Sequence, residues 1–499
     1  MSTARRVPDT AQYLPERLTF RLEPGPDDEV RLVVAAADFG DAVRELRQAG
    51  ARFITLFLAE IPKLALTAAF ALYGELVLLQ APAGESGVIA YSEMGEWWPA
   101  TAWAERELLE RDPRISGAHR NDQPQLTHPD ADRIEHAVTG LDVFAIPYGP
   151  VRSGVFEAIQ FLIETGGEDV PRLHTRPFFK HRGIESRFVG LTPDVAVHVA
   201  ERVAGIAANA YGCAFSHAVE RALGVEPPRQ AQRWRAIYCE LERMACHLDV
   251  IAKEAETTAL YVGQARFQIL KERVQRLRAR LTGSRFGRGV VVPGGVRFEG
   301  RVSAEELRGE IDAIERDLRR DQRLFLGTTS MTDRLIGGGR LERALIEEHC
   351  AVGPLARGSG ISTDARHERP YDDYRRLGLR VATRREGDAM ARINVRFAEL
   401  SESLRLIRQV VGHLGRGDGN LSTPLPRWGS GTACGWAEAP QGELLFWVEI
   451  RDGLIHRVHI ASPSLRNWAL FDHAFPKDVL TDFAFIEHSF GLTPAGADR

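Results

Sequence analysis

Short apolar runs separated by polar turns dominate the first hundred residues. Four stretches are short apolar runs of the kind that is typical of strands, and two others have the spacing of apolar residues that is typical of helices. The predicted strands cover 31–36, 52–58, 75–80 and 88–91, and the predicted helices cover 41–49 and 100–110. Strands mixed with so few helices predict a small α+β domain.

A polar segment rich in Asp, Pro and His, at 111–132, then interrupts this pattern. Such a segment is typical of a domain boundary, and we place a first domain at 1–125 and a second at 126–499. The second domain opens with a predicted strand at 142–147, followed by a turn at 148–157 that contains Gly and Pro.

Helical patterns dominate the rest of the second domain. The first predicted helix, 192–223, starts at Thr192-Pro193, which suit an N-cap and a first helical position. It is apolar on all sides, as a buried helix would be. Further predicted helices cover 230–255, 260–281, 303–323 and 388–414, and a predicted β-hairpin has strands at 444–450 and 454–460 around Asp452-Gly453. The predicted fold class is α+β, with a small N-terminal α+β domain before a mainly helical domain with peripheral β-hairpins.

The composition indicates a globular protein with no general attraction to polyanions. Hydrophobic residues make up 44% and charged residues 26%, and the formal net charge is -4, so a nucleic-acid partner is not expected. The most apolar stretch, 53–79, contains Glu60, Lys63 and Glu75, which disfavour a membrane span. Residues 1–14 have no signal-peptide core. We expect a cytoplasmic protein whose membrane association, if any, comes through a partner.

The five cysteines form no CxxC pair and no disulfide framework, which fits a reducing compartment. Two pairs of residues leave a zinc site open as an alternative. Cys213 and His217 lie four residues apart on one predicted helix, and Cys246 and His247 lie on the next. These are residue types that bind zinc. The alternative interpretation is that the buried thiols act as small hydrophobic side chains.

Six ordered motifs in the second domain carry a family resemblance. They are His181-Arg182-Gly183-Ile184-Glu185, 201–207, Ala218-Val219-Glu220, Pro227-Pro228-Arg229, Glu240-Leu241-Glu242-Arg243 with His247-Leu248, and Pro293-Gly294-Gly295-Val296. This set resembles the large subunit of membrane-bound, energy-converting nickel–iron hydrogenases of the formate hydrogenlyase type, and its homologue, the quinone-site subunit of complex I. The first domain, with Trp98 to Glu107, is similar to the small hydrophilic subunit that partners it.

The resemblance implies a metal site whose ligands this sequence lacks. Hydrogenases of this family hold nickel and iron with two CxxC pairs. Here the first pair is matched by Ala204 and Ala207, and the second is matched most closely by Ser464 and Asn467. A methyl group, a hydroxyl or an amide cannot replace a thiolate for these metals. We therefore expect no metal and no hydrogen activation.

The quinone chemistry of complex I is also not expected to operate by that family's mechanism. The resemblance places a protonating histidine in the hairpin and a tyrosine near the start of the buried helix, and a positioned acid is what proton-coupled reduction needs. This sequence has Arg152 and Gly205 at those places. A quinone ligand is left open, and no cofactor is expected to bind this chain directly.

Three residues remain candidates for catalysis. The resemblance makes Glu185 the proton-relaying glutamate of the hydrogenases, a role that burial of a carboxyl group can support. Arg152 and His181 are the other two candidates. The alternative for Glu185 is an ion pair with Arg182 or Arg202, since structural ion pairs also perturb a pKa.

The resemblance also implies partners. It places Arg202 and Arg288 beside the terminal 4Fe-4S cluster of a small iron–sulfur subunit, where positive charge would stabilise the reduced cluster. The alternative is that each arginine is solvated or caps a helix. Membrane-arm subunits are the second expected partner. The expected function is that of a subunit of a complex I-like or hydrogenase-related oxidoreductase that couples electron transfer to proton handling or to an unknown acceptor. The alternative is a structural docking subunit without redox chemistry.

Overall fold

A computed structural model describes residues 20–26, 29–60, 63–117, 126, 143–152, 157–297, 302–415, 419–476 and 478–499. The chain divides into two compact units, Met1–Pro129 with Glu348–Cys350, and Asp130–Glu347 with Ala351–Arg499. Most of the predicted linker and the predicted boundary after residue 125 lie outside the described residues, as do the turn residues 153–156 and residues 1–14. The assignment of the first domain therefore stays a prediction.

The first unit is built on a five-stranded sheet. Its strands are β1 (Arg21–Pro24), β2 (Glu29–Val33), β3 (Arg52–Ala59), β4 (Ala65–Leu72) and β5 (Glu75–Pro82), in the order β1-β2-β5-β4-β3. β2 and β5 are parallel and the other neighbours are antiparallel. The helix α1 (Phe39–Gln48) contributes Phe39, Val43 and Leu46 to the core that the strands form. A parallel pair of short strands, β6 (Ile89–Tyr91) and β7 (Ile115–Gly117), flanks α2 (Pro99–Arg111).

β4 was not predicted from the sequence. Its residues, Ala-Leu-Thr-Ala-Ala-Phe-Ala-Leu, include four alanines, a residue type that is depleted in strands. Seven of its eight residues are buried, so the strand shows no alternation of apolar and polar positions. Pairing on both sides, with β3 and β5, holds it in the sheet.

The second unit starts with an antiparallel sheet and continues into helices. The sheet contains β8 (Phe144–Tyr148), β9 (Gln160–Thr165) and β10 (Arg172–Arg176). The first helices are α3 (Pro193–Ala200), α4 (Ala208–Leu223), α5 (Arg229–Thr257) and α6 (Tyr261–Thr282). A two-stranded ribbon, β11 (Val291–Val292) with β12 (Gly295–Val296), precedes α7 (Ala304–Leu326) and the short helices α8 (Thr329–Leu335), α9 (Arg343–Glu348), α10 (Gly353–Gly358) and α11 (Ala365–Glu368).

The remainder contains a long helix and a second sheet. α12 (Ala389–Val411) precedes the antiparallel strands β13 (Gly431–Ala439), β14 (Gly442–Arg451) and β15 (Leu454–Ala461), and then α13 (Pro463–Trp468), α14 (Phe483–Phe490) and α15 (Pro494–Asp498). The predicted hairpin around Asp452-Gly453 is present as β14 and β15. The α+β fold class, with a β-rich first part and a mainly helical second part, is confirmed.

The single helix predicted for 192–223 is wrong. α3 ends at Ala200, a 3-10 turn covers Gly205–Ala207, and α4 begins at Ala208. Thr192 is the N-cap residue of α3, but its side chain makes no capping hydrogen bond. The break falls on the segment that was singled out for chemistry. In the part of the chain that the structure describes, no helix is both long enough and apolar enough to cross a membrane.

Candidate functional site

Arg182 keeps the chain from remaining helical between α3 and α4. Its guanidinium donates to the carbonyl of Val203 (2.7 Å) and to that of Arg202 (3.3 Å). In a continuous helix the Val203 carbonyl would accept from the amide of Ala207. That amide donates to Ala204 instead (3.0 Å), and Ala204 is extended, with φ −135° and ψ 109°. A tertiary contact therefore breaks a helix that local propensity favours.

Two carboxylates hold the ends of this break. Glu242 of α5 accepts from the amides of Asn209 (2.8 Å) and Ala210 (3.0 Å), which are unpaired donors at the start of α4. Glu201 accepts from the amide of Gly289 (2.7 Å) and is fully buried. The segment between them is thus fixed at both ends. It buries Ala204 and Ala207 and exposes Gly205 and Ile206.

The glycine-containing ribbon of β11 and β12 is hydrogen-bonded to side chains of α4 and α5. Glu220 of α4 accepts from the amide of Gly294 (2.7 Å), and Arg235 of α5 pairs with Glu220 while donating to the Gly295 carbonyl (3.1 Å). Gly294 has φ +88°, and a Cβ atom there would lie 2.2 Å from the Thr423 carbonyl oxygen. Only glycine fits this position. Two of the sequence motifs, those that contain Glu220 and Gly294-Gly295, therefore contact each other in the fold.

A cavity of about 190 Å³ lies beside the broken helix. Its wall includes Ile206, which stands between Ala204 and Ala207, together with Arg152 after β8 and Val250 of α5. The wall also includes the segment Leu492, Thr493 and Pro494. Trp468 completes the apolar part of the wall. The cavity thus lies between the hairpin and the buried helices.

Ionisable side chains line much of this cavity, and each has a partner. Asp249 contacts Lys253 (3.2 Å) and Lys271 (2.6 Å). Burial works against the ionised form of Asp249, but the two lysines outweigh it and lower its pKa. Glu157 accepts from the hydroxyl of Thr493 (2.9 Å). These contacts hold charged side chains in the cavity wall, so the cavity is not lined by apolar groups alone.

The Arg152 side chain spans the cavity wall to reach α14. Its Nη1 and Nη2 atoms lie 2.8 and 2.7 Å from the two carboxylate oxygens of Glu487. Burial alone would lower the pKa of Arg152, but Glu487 outweighs burial and raises it. The neighbouring His488 bonds the hydroxyl of Thr257 (2.9 Å), and burial lowers the pKa of this histidine although Glu487 opposes the shift. His488 is therefore a neutral imidazole in the cavity wall at physiological pH.

Glu185 lies in a 3-10 turn behind this wall and is not one of the residues that line the cavity. Its Oε1 atom accepts from the amide of Ile460 (2.9 Å) and lies 3.2 Å from Nδ1 of His459 and 3.4 Å from Nη1 of Arg499. Arg182 donates to backbone carbonyls, and Arg202 donates to the His198 carbonyl and lies 3.9 Å from Glu201, so the ion pair of Glu185 with either arginine stays a prediction. Glu185 thus belongs to a buried cluster with Arg499.

His181 and Arg182 hold the C-terminal segment beside the broken helix. The Nδ1 atom of His181 lies 2.7 Å from the Asp498 carbonyl oxygen, and Arg182 donates to the Ala495 carbonyl (2.9 Å). Asp498 accepts from the amide of Phe178 (2.8 Å), and burial raises its pKa to about 6. His181 therefore contacts the C-terminal segment through the backbone of Asp498.

Ser464 and Asn467, the residues predicted to match the second ligand pair, bond neighbouring backbone groups. The amide of Asn467 bonds the backbone of Val352, and Ser464 accepts from the amide of Thr493 (3.3 Å). The segment around Thr493 lines the same cavity as Ile206. The match of Ser464 and Asn467 to the second ligand pair stays a prediction.

Arg202 and Arg288 lie on one surface with the exposed part of the broken helix. A Cβ atom at Gly205 would lie 3.1 Å from Nη2 of Arg288, so this guanidinium covers Gly205. Arg202 contacts the His198 carbonyl and Glu201 (3.9 Å). Ile206 and Phe286, both 44% exposed, lie beside them in the sequence.

The four residues of the predicted zinc alternative do not meet. The thiol of Cys213 lies 3.6 Å from that of Cys239, and His217 contacts Asp372 (3.0 Å). Gln441 bonds Cys246 (3.3 Å), while Glu399 bonds His247 (2.8 Å). Among the residues that the structure describes, no group of three or more His, Cys, Asp or Glu is arranged to hold a metal ion.

Comparison with known proteins agrees with the resemblance. Residues 255–428 match the family of the respiratory-chain NADH dehydrogenase 49 Kd subunit. Formate hydrogenlyase subunit 5 of Escherichia coli is 27% identical over 366 residues, 71% of this chain and 63% of that protein. The membrane-bound hydrogenase subunit alpha of Pyrococcus furiosus is 29% identical over 62% of this chain and 76% of its own length. A subunit of the NADH-quinone oxidoreductase of Rhizobium etli is 28% identical over 69% of this chain and 91% of its own length.

This chain is similar to the complex I 49 kDa subunit and to nickel–iron hydrogenase large subunits. It spans less than two thirds of formate hydrogenlyase subunit 5. A chain in the structure of the membrane-bound sulfane sulfur reductase, an archaeal respiratory membrane complex, shares its fold. The TM-score is 0.67 with 24% identity, over 72% of this chain and 99% of the other.

The nickel–iron group of the family's hydrogenases does not fit these residues. The buried positions on the helix side are the methyl groups of Ala204 and Ala207. The segment 492–494 of the cavity wall offers only the hydroxyl group of Thr493. All five cysteines lie in the described part of the chain, and of these Cys246 alone lines the cavity. Without a set of thiolates such a group cannot be held.

Proposed function

We propose that this chain is the large peripheral subunit of a membrane-associated oxidoreductase of the complex I or hydrogenase type, and that it works without a nickel–iron site. Electrons would come from an iron–sulfur cluster in a small partner subunit. The cavity would be the place where an acceptor meets those electrons and where protons are handled. The family supports the assembly, and the missing thiolates argue against hydrogen as the substrate.

The charged cavity is the observation that carries this proposal. A purely structural subunit, the alternative, has no need to keep a space beside the broken helix, and burying unused charges is unfavourable. The cavity instead retains Arg152, Asp249, Lys253 and Glu487 in its wall. Its volume, about 190 Å³, leaves room for a small acceptor or for the reactive end of a larger one.

The surface around Gly205 supports the position of the iron–sulfur partner. Arg202 and Arg288 add positive charge there, and the neighbouring Ile206 and Phe286 add exposed apolar area. Apolar residues with arginines are typical of protein interfaces. Positive charge near a cluster favours its reduced form. We propose this surface, defined by these four residues, as the docking site.

The remaining partners follow from the same proposal. Membrane-arm subunits would hold the complex at the inner face of the plasma membrane, since the described part of this chain has no helix that could span a bilayer. No cofactor would be bound by this chain directly. A quinone is one acceptor that the cavity could take, although Arg152 is paired with Glu487 and Gly205 has no proton to give.

Purification of the native complex through a tag on this chain tests the proposal. We expect a small subunit with the electron paramagnetic resonance signal of a reduced 4Fe-4S cluster, together with membrane proteins, and no stoichiometric nickel. Isolation of the chain without any redox subunit would favour the structural alternative. Stoichiometric nickel would contradict the assignment of Ala204 and Ala207.

A further inference from the structure

Helix α5 presents two faces with different chemistry. Cys246, Asp249, Val250 and Lys253 are spaced along one face and line the cavity. The next face, which includes Glu254, is turned toward α12 and is completely buried. Glu254 itself is not among the residues that line the cavity, but it lies one turn along α5 from Val250, which lines it.

Glu254 is a buried carboxyl group without a hydrogen-bond partner among the described residues. Its side chain is 0% exposed, and neither Oε1 nor Oε2 meets a donor. Nearly all buried polar groups in folded proteins have such partners, so a carboxyl group with none is unusual. An ionised carboxylate in this position would be strongly disfavoured. The neutral, protonated acid is the form that this environment accepts.

The charged groups that act on Glu254 are two arginines of α12. Arg392 donates to the carbonyls of Gly339 and Gly387, both at 2.9 Å, and to the hydroxyl of Ser489 (2.9 Å). Arg396 donates to the carbonyls of Ser489 (3.0 Å) and Phe490 (2.8 Å). Neutral acceptors therefore hold part of each guanidinium group, while Nη2 of Arg392 and Nε of Arg396 have no hydrogen-bond partner among the described residues. The charge of both groups lies close to the acid.

This environment allows Glu254 to change its charge at moderate cost. Burial raises the pKa of Glu254 well above its ordinary value, while the attraction of Arg392 and Arg396 opposes burial. Loss of the proton would leave a carboxylate between two fixed positive charges. Because the guanidinium groups stay charged at any relevant pH, they can compensate the carboxylate without moving.

Arg396 also connects this pocket to the cavity. Gly491 lines the cavity, and a Cβ atom at Gly491 would lie 2.5 Å from Nη2 of Arg396. The guanidinium thus lies directly behind a cavity wall that has no side chain. Gly491 has φ +63°, a conformation that favours glycine, and it ends α14. Charge that appears in the cavity is felt by Arg396 and, through the low-dielectric interior, by Glu254.

We propose that Glu254 is a proton reservoir for reduction in the cavity. The inference rests on the proposed function. In the resting state Glu254 carries a proton. When the iron–sulfur cluster of the partner passes an electron to the bound acceptor, the acceptor gains negative charge, Glu254 gives its proton to the acceptor, and the remaining carboxylate is compensated by Arg392 and Arg396. A proton from solvent then restores the acid.

Infrared difference spectroscopy of the purified complex, reduced minus oxidised, tests this inference. The carbonyl stretch of a protonated carboxyl group should disappear on reduction, and it should shift in heavy water. Glu254→Gln should remove this signal and lower turnover by about tenfold or more. Glu254→Asp should keep a signal at a shifted position. Glu256→Gln, on the exposed side of the same helix, is the matched control and should change neither the signal nor turnover.

Three outcomes would overturn the inference. The first is a signal that persists in Glu254→Gln, which would assign it to another acid. The second is a complex that transfers electrons normally while the Glu254 signal stays constant on reduction. The third is the absence of a protonated-carboxyl signal in the unmodified full chain at neutral pH. If the complex transfers no electrons at all, the proposed function is wrong. In that case the spectrum of the full chain before reduction still shows whether Glu254 is protonated, so the two failures can be told apart.

Discussion

Arg152 and Glu487 face each other across 335 residues of sequence and form a two-point ion pair in the cavity wall. The nitrogen–oxygen distances are 2.8 and 2.7 Å, and the side chains are 3% and 10% exposed. The guanidinium also lies 5.1 Å from the ring centroids of Tyr148 and Phe161. The residue that follows the hairpin strand is thereby fixed to α14, and the pair closes one side of the cavity.

Removal of one member of this pair should destabilise the second unit. We expect Glu487→Gln to lower the free energy of unfolding by about 3 to 5 kcal/mol, because an uncompensated charge is left buried. Thermal and denaturant unfolding of the full chain would measure the change. The exposed pair Arg44–Asp41 provides the control, and Arg44→Gln should cost less than about 1 kcal/mol. Equal losses in the two variants would show that the buried pair has no special role.

Gly435 should be intolerant of any side chain. In β13, a Cβ atom at this position would lie 2.1 Å from the Ala218 nitrogen and 2.4 Å from the Ala214 oxygen of α4. Gly435→Ala must therefore push the helix away from the sheet, and we expect a loss of about 3 kcal/mol or more in unfolding free energy. Gly309→Ala is the matched control. Gly309 lies inside α7 with open space around it, so alanine should stabilise by up to about 1 kcal/mol. A stable Gly435→Ala variant would contradict this packing.

His247 should make the second unit sensitive to acid. Burial lowers its pKa from 6.5 to about 4 in the folded chain, although its bond to Glu399 opposes the shift. Between these two values the unfolded chain binds more protons, so the stability from this group is complete above pH 6.5 and is lost as the pH falls to about 4. The loss amounts to about 3 kcal/mol.

Denaturant unfolding of the full chain and of His247→Gln at several pH values would measure this effect. The difference between the two proteins isolates His247 from Asp498 and Glu105, whose pKa values burial raises to about 6 and about 7. Those two acids act in the opposite sense, because protonation relieves an unfavourable buried charge. We expect the stability advantage of the unmodified chain to shrink as the pH falls from 6.5 to 4. An advantage that is constant with pH would show that His247 does not titrate in this range.

Glu185→Gln should lower the turnover of the assembled complex without dissociating it, if Glu185 relays protons. Glutamine keeps an acceptor for the Ile460 amide, and it removes the acidic proton and the charge that faces Arg499. Turnover and subunit composition would be measured together. Glu438→Gln tests the general effect of neutralising a buried carboxylate, since Glu438 pairs with Arg357 away from the cavity lining. Unchanged turnover in Glu185→Gln would reduce Glu185 to a structural member of its cluster.

Local patterns were enough to predict most of the long elements. The 29 residues of α5 and the 23 residues of α12 match predictions made from apolar spacing and from Pro and Gly signals. The hairpin of β14 and β15 was predicted from Asp452-Gly453 and the two apolar runs beside it. In each case the residues that predict the element lie within it or next to it, because the spacing of apolar residues along a helix or strand reflects which of its faces are buried.

The candidate site was predicted only in part. The motif around Glu185 and the broken helix could be found from order and spacing, and so could the absence of thiols at 204 and 207. The residues that these side chains contact could not be predicted from the sequence. Glu185 pairs with Arg499, 314 residues away, and Glu254 has no hydrogen-bond partner among the described residues although two arginines of α12 lie nearby. Nothing in the local sequence distinguishes Glu254 from the exposed Glu256.

The sequence by itself determined the α+β class, the order of the helices and the loss of the family's metal ligands, since these depend on residue identity and on short-range periodicity. The tertiary structure decided where the long helix breaks, which residues line a cavity together with Ile206 and which buried acid is left without a donor. The physical reason is the same in each case. Val203 has a helical partner available, yet its carbonyl accepts from Arg182, a side chain brought from outside the helix by the fold.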